Sequence, residues 1–151
     1  MAVVQRRSIV ATPPCDYADA FEVSLATGDG RSAEELVRAG PENIPRWLGA
    51  AVLIAHRHVL RFDLAPSSAP NHLIGWQIGD RDHDSIRLSA GGPLMDGVLI
   101  ARRIAPSAAA LETFVSYRRP LARVVWAVVA PIHRAVVPVL LQRAATAFGV
   151  W

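Results

Sequence analysis

Hydrophobic and polar positions along the chain fall into segments of two periods. Phe21, Val23 and Leu25 alternate with Glu22 and Ser24, which is the pattern of a half-buried strand starting near residue 16. Thr27-Gly28-Asp29-Gly30 breaks it. Ser32-Ala33-Glu34-Glu35 is a capping box: the Ser32 hydroxyl can take the Glu35 amide and the Glu35 carboxylate can reach back. It predicts a short helix to Arg38, stopped by Gly40-Pro41. A second helix is predicted from Asn43, with Pro45 in its first turn. Its spacing buries Ile44, Trp47, Leu48, Ala51, Ala55, Val59 and Phe62 on one face, and it frays before Asp63.

After a loop over 65–70, strand patterns recur near 72–78, 85–90, 97–104 and 111–117. They are joined by a polar turn at 80–84, by Gly91-Gly92-Pro93 and by a loop over 105–110. Connections this short favour an antiparallel meander. In the last of these strands Leu111, Thr113, Val115 and Tyr117 share a face.

A long helix is predicted from about Pro120 to Ala147. Leu121, Val125, Val128, Ile132, Val136 and Val139 form one apolar stripe, and Ala122, Trp126, Val129, His133, Val137 and Leu140 form a second beside it. Arg123, Ala130, Arg134 and Leu141 are left for the solvent side, with the helix gripped on more than one side and bent at Pro131 or Pro138. The stretch 121–141 is about long enough to cross a bilayer, but three charged or titratable residues and two prolines interrupt it, so a buried, kinked helix and no membrane span are expected. The fold class is therefore α+β, with the long helix across a curved antiparallel sheet.

With 151 residues the chain is expected to be one domain, 1–151, with 1–14 flexible. At 52% hydrophobic and 19% charged residues it carries more apolar surface than a minimal core needs, which an enclosed cavity or an oligomer interface could absorb. The single cysteine, Cys15, excludes an intrachain disulfide and fits a reducing cytoplasm; no signal peptide is evident. All 16 basic residues are arginine, a bias that fits a GC-rich bacterial genome. They are scattered as singles and pairs, with no basic run interleaved with aromatics, so nucleic-acid binding is not expected.

Three stretches carry a resemblance: Asp16-Tyr17-Ala18-Asp19-Ala20-Phe21, Ile74-Gly75-Trp76, and Arg123-x-x-Trp126-x-x-Val129-x-Pro131-x-His133-Arg134. Together with the order of elements they resemble the helix-grip domains of the START-like (SRPBCC) superfamily, and within it a bacterial domain family of unknown function. Val125 and Ile132 stand where those relatives tend to carry Tyr and Phe. The resemblance implies a curved antiparallel sheet wrapped around a long C-terminal helix, two short helices after the first strand, and an apolar cavity between sheet and helix. The superfamily includes lipid and quinone carriers, hormone receptors and aromatic polyketide cyclases, so the fold does not choose a function.

Candidate chemistry is sparse. Asp80-Arg81-Asp82-His83-Asp84 has Ser85 and Gly91 where a calcium loop needs Gly and Glu, and reads as a hairpin turn. His56 and His58, two apart on a helix, point away from each other and cannot share a metal, although one could face the core or cavity. No nucleophile elbow, phosphate loop, zinc-type cysteine pair or dinucleotide fingerprint is present, so no metal or cofactor is expected. Trp47, Trp76, Arg87, Arg103, Tyr117, Trp126, Val129 and His133 are the candidate ligand-binding residues, and His133 and Asp96 the candidate acid/base groups. Two classes fit: a binder or carrier of an apolar or aromatic small molecule, as monomer or homodimer, or a cyclase- or isomerase-like enzyme of polyketide or secondary metabolism using His133 or Asp96.

Overall fold

The structure, a computed structural model, describes residues 3–7, 9, 14–66 and 69–148. It is α+β: a seven-stranded, curved antiparallel sheet, two short helices and one long C-terminal helix, the helix-grip architecture. The strands are β1 (Val4–Arg6), β2 (Tyr17–Ser24), β3 (His72–Leu73), β4 (Trp76–Arg81), β5 (Ser85–Gly91), β6 (Met95–Ala105) and β7 (Ala108–Tyr117). Their spatial order is β1-β2-β7-β6-β5-β4-β3. β3 to β7 form the expected meander, and β7 returns to pair with β2, next to the edge strand β1.

Several elements differ from the sequence reading. Val4–Arg6, expected to be flexible, is an edge strand paired with β2; other parts of 1–14 lie outside the described residues. The predicted 105–110 loop is a tight turn at Pro106-Ser107, because β6 and β7 stay paired down to Ala105 and Ala108. The polar hairpin turn is as read: Asp82 Oδ1 accepts from the amides of Asp84 and Ser85 at 2.8 and 2.9 Å.

Helix α1 (Ala33–Glu42) carries the predicted capping box, each bond 3.2 Å long. It outruns its predicted end at Arg38 and takes Pro41 into its last turn. Helix α2 (Arg46–Ile54) passes directly into a π-helical turn, Ala55–Val59. None of its residues is fully buried, and Trp47, expected in the core, is 71% exposed.

Helix α3 (Pro120–Thr146) starts at the predicted proline and continues through Pro131 and Pro138. It buries Ala122, Trp126, Ala130, Val137, Ala144 and Ala145. The second of the two predicted stripes thus faces the sheet, joined by Ala130, a position predicted to face solvent. Most of the first stripe is uncovered: Leu121, Val128, Ile132 and Val139 are exposed, so the helix is gripped on one side only.

Two apolar clusters anchor these layers. The larger joins Phe62, Trp76, Ile86, Leu88, Met95 and Val115 to Ala122, Trp126 and Ala130 of α3. The smaller joins Val23, Leu25 and Leu36 to Ala145 near the helix end. There α1 crosses α3 at Gly40, where a Cβ would come within 3.1 Å of the Leu140 carbonyl oxygen. Arg31, paired with Asp29 at 2.8 Å, also donates to the carbonyl of Ala144 at 2.9 Å and ties the loop to the last turn of α3.

Candidate functional site

Between α2, its π-helical extension, the concave face of the sheet and α3 lies a cavity of about 360 Å³. This falls within the ~300–1,000 Å³ range of small-molecule sites. Its walls are mostly aliphatic: Leu48 and Val52 from α2, Leu99, Leu111 and Val115 from the sheet, and Val129, Val136 and Leu140 from α3. Leu53 and Ile132 line it and also reach solvent, which places the mouth between α2 and α3.

One end is closed by an aromatic group. Phe62 and Trp76 meet edge to face at 5.2 Å, and His56 lies 5.5 Å from Trp76 and 6.0 Å from Phe62. Gly97 makes room for this group, since a Cβ there would stand 2.9 Å from the Trp76 ring and 3.1 Å from Phe62. The Trp76 indole N–H donates to His56 Nδ1 at 3.3 Å, so the neutral imidazole carries its proton on Nε2. Burial, and then the neighbouring His133, lower the His56 pKa to about 4, which keeps the ring neutral near pH 7. The π-helical turn gives His56 its place, because the widened turn ends in bonds from the Leu60 amide to Ala55 and from the Phe62 amide to His56.

A polar group lies where the sheet meets α3, and Thr113, Trp126 and His133 bring it to the cavity wall. Asp19 on β2 stands directly across from Thr113 on β7, on the face turned toward α3. Tyr17, two residues earlier on that face, donates its hydroxyl to Asp19 Oδ2 at 2.6 Å and accepts from Arg134 at 3.3 Å. His133 Nε2 lies 3.1 Å from the same Asp19 oxygen, close enough for an ion pair but off the direction of a good hydrogen bond. Trp126 packs edge-on against Tyr17 at 5.1 Å and lies 5.4 Å from the His133 ring.

Asp19 is fully buried by its side chain, and burial alone would raise its pKa. The His133 and Tyr17 contacts outweigh this and hold the carboxyl below the usual carboxylate range. Burial and the Asp19 bond push the Tyr17 phenol upward. Four buried polar atoms have no hydrogen-bond partner among the described residues: Asp19 Oδ1, Thr113 Oγ1, Trp126 Nε1 and His133 Nε2. Three of the four residues line the cavity.

Of the residues singled out from sequence, Trp76, Trp126, Val129 and His133 come together at this cavity. The others do not. Trp47 points to solvent on α2. Arg87 lies on the outer face of β5 and is exposed. Arg103 is committed to the carbonyls of Asp29, Arg31 and Pro106. Tyr117 packs beneath Arg123, whose guanidinium sits 5.5 Å from its ring centre. Asp96 is paired with Arg118 at 2.9 Å outside the cavity.

Tyr17, Asp19 and Thr113 were missing from the candidates. Asp19 had a readable signal, since it extends the Phe21, Val23, Leu25 face as a carboxylate on an otherwise apolar strand face. Among the described residues no group of three His, Cys, Asp or Glu is placed to hold a metal ion. Set against known proteins, the chain matches no family model, no curated protein and no solved structure.

Proposed function

We propose that this protein binds an apolar, aromatic small molecule carrying one polar group, held in the cavity under α3. The observation that carries this reading is the coincidence of aliphatic walls with unpartnered buried polar atoms on Thr113 and Trp126. A buried donor or acceptor left unpaired costs about 1–3 kcal/mol, so native interiors rarely keep several together without reason. A carbonyl or hydroxyl on the ligand would satisfy the Trp126 N–H and the Thr113 hydroxyl while its rings fill the aliphatic space. The fold and this cavity also support membership of the START-like superfamily, in the carrier or binder part of its range.

Native mass spectrometry of gently purified protein tests this. The wild type should carry a non-covalent adduct or take up an added aromatic ketone at one-to-one stoichiometry. Val129→Trp, which places an indole in the cavity, should do neither. Equal uptake by both proteins would place the ligand elsewhere.

A second reading has one observation in its favour, the Asp19 carboxylate 3.1 Å from His133 Nε2. A buried carboxylate behind an imidazole is how many enzymes orient a general base. In that reading His133 would exchange a proton with the bound molecule through its other ring nitrogen, in a cyclisation or isomerisation. Asp96 has no part in it. Turnover abolished by both Asp19→Asn and His133→Ala, with ligand uptake retained, would favour this enzyme over a carrier.

A further inference from the structure

We propose that the face around the cavity mouth docks on the surface of an anionic phospholipid bilayer, with α2 and the outer stripe of α3 lying along the interface. The proposal gives the ligand of the preceding section a route from membrane to cavity and rests on that reading for the route alone; the docking surface stands on separate observations.

The first is exposure. Trp47 is 71% exposed, Val128 67% and Ile132 60%, and Ile54 and Leu121 extend the same apolar surface on either side of the mouth. On α2, Trp47 and Ile54 lie seven residues apart on one face, next to cavity-facing Leu48 and Val52. On α3, Ile132 belongs at once to the cavity wall and to the exposed stripe. The uncovered surface therefore runs without a break into the cavity.

The second is charge. Residues 43–62 and 113–151, which include α2 and α3, hold eight of the 16 arginines and none of the 13 acidic residues. The rest of the chain carries eight arginines against all 13 acids, so a net charge of +3 hides a strong separation. Pairing is uneven as well: among the described residues only Arg118 of the eight arginines in these segments is bonded to a carboxylate, that of Asp96. Arg31, Arg38, Arg81 and Arg102, outside these segments, are bonded to carboxylates. Among the described residues, Arg46, Arg57, Arg123 and Arg143 on the helical side have none within ion-pair distance. An exposed apolar face with a Trp, on a side whose arginines other than Arg118 have no carboxylate partner, suits the interfacial zone of an anionic leaflet.

Two other occupants fit less well. A second copy would bring two acid-free, arginine-bearing surfaces face to face. Insertion of α3 across the bilayer would strip Trp126 and Ala130 from the core and separate His133 from Asp19.

Co-sedimentation of the full chain with vesicles of phosphatidylcholine alone, or mixed with phosphatidylglycerol, is the test. Binding should occur to the mixed vesicles only, shift tryptophan emission to the blue and be reversed by salt. Trp47→Glu and Val128→Glu, both on exposed positions outside the cavity wall, should each weaken it by roughly tenfold, and Arg46→Glu with Arg57→Glu should abolish it. All variants should keep the wild-type circular dichroism and the uptake of an aromatic ketone. The proposal is overturned if mixed vesicles do not bind, if binding ignores lipid charge and resists salt, or if Val128→Glu only dissociates a dimer. Vesicle binding without ketone uptake would leave docking intact and remove the ligand reading; the reverse would do the opposite.

Discussion

At Asp19 and His56 the protein holds two titratable groups out of water in opposite ways, and both make it acid-sensitive. His56 has a folded pKa of about 4, below its unfolded value near 6.5. Its contribution is complete above the unfolded value and is lost as pH falls from there toward 4, by about 3 kcal/mol at most. Asp19 has a folded pKa below the unfolded carboxylate value near 4. Its contribution is complete above that value and lost only as pH falls through the lower folded one. Chemical denaturation at a series of pH values should therefore show two separate losses. His56→Phe, which keeps the ring packing on Phe62 and Trp76, should flatten the first and spare the second. Asp19→Ala should cost about 3 kcal/mol at pH 7, because it strips Tyr17 and His133 of a buried partner, and should remove the second loss. A single transition unchanged in both variants would mean that neither group is as buried as described.

Among the elements, α3 shows what the residue pattern could and could not tell. Its length, its start at Pro120 and its amphipathic stripes were legible, as were the meander and the capping box of α1. Which of two adjacent apolar stripes meets the sheet was not, because Val, Ile and Leu occur on both and hydropathy alone cannot rank them. The outcome turns on shape. Ala122, Ala130, Ala144 and Ala145 let the helix approach the core closely, and Trp126 fills the remaining gap, while Leu121, Val128, Ile132 and Val139 stay outside. The same holds at Gly40 and Gly97, where small size permits a close contact that no periodicity reports. Thermal melts should reflect this. Val128→Gln should change stability by less than about 0.5 kcal/mol, as an exposed substitution does. Ala130→Gln should cost more than 1 kcal/mol through overpacking, and Gly97→Ala about 1–3 kcal/mol by pressing Trp76 and Phe62 apart. The reverse ranking of Val128→Gln and Ala130→Gln would mean that the other stripe faces the sheet.

Taken as a whole molecule, the fold was readable and the site only in part. Trp76, Trp126 and His133 reached the cavity because aromatic and titratable residues in apolar patterns tend to point inward, and Val129 because it shares a stripe on α3 with Trp126 and His133. Arg87 and Asp96 satisfied the same criterion yet sit on the outer strand face, since one residue of offset in a strand reverses the direction of a side chain. Tyr17 and Thr113 gained their roles only from the pairing of β2 with β7, about a hundred residues apart in sequence.

The central claim is that this cavity takes an apolar ring system with one polar group. The most direct measurement is a tryptophan-emission titration comparing 9-fluorenone with fluorene, molecules of nearly equal shape that differ by one carbonyl. Wild-type protein should bind both saturably and fluorenone roughly fivefold more tightly, the worth of about one hydrogen bond of 1 kcal/mol. In Trp126→Phe, with the ring kept and the N–H removed, that preference should vanish, and in Val129→Trp neither compound should bind. Equal affinities in the wild type, or a fluorenone preference that survives Trp126→Phe, would contradict the account.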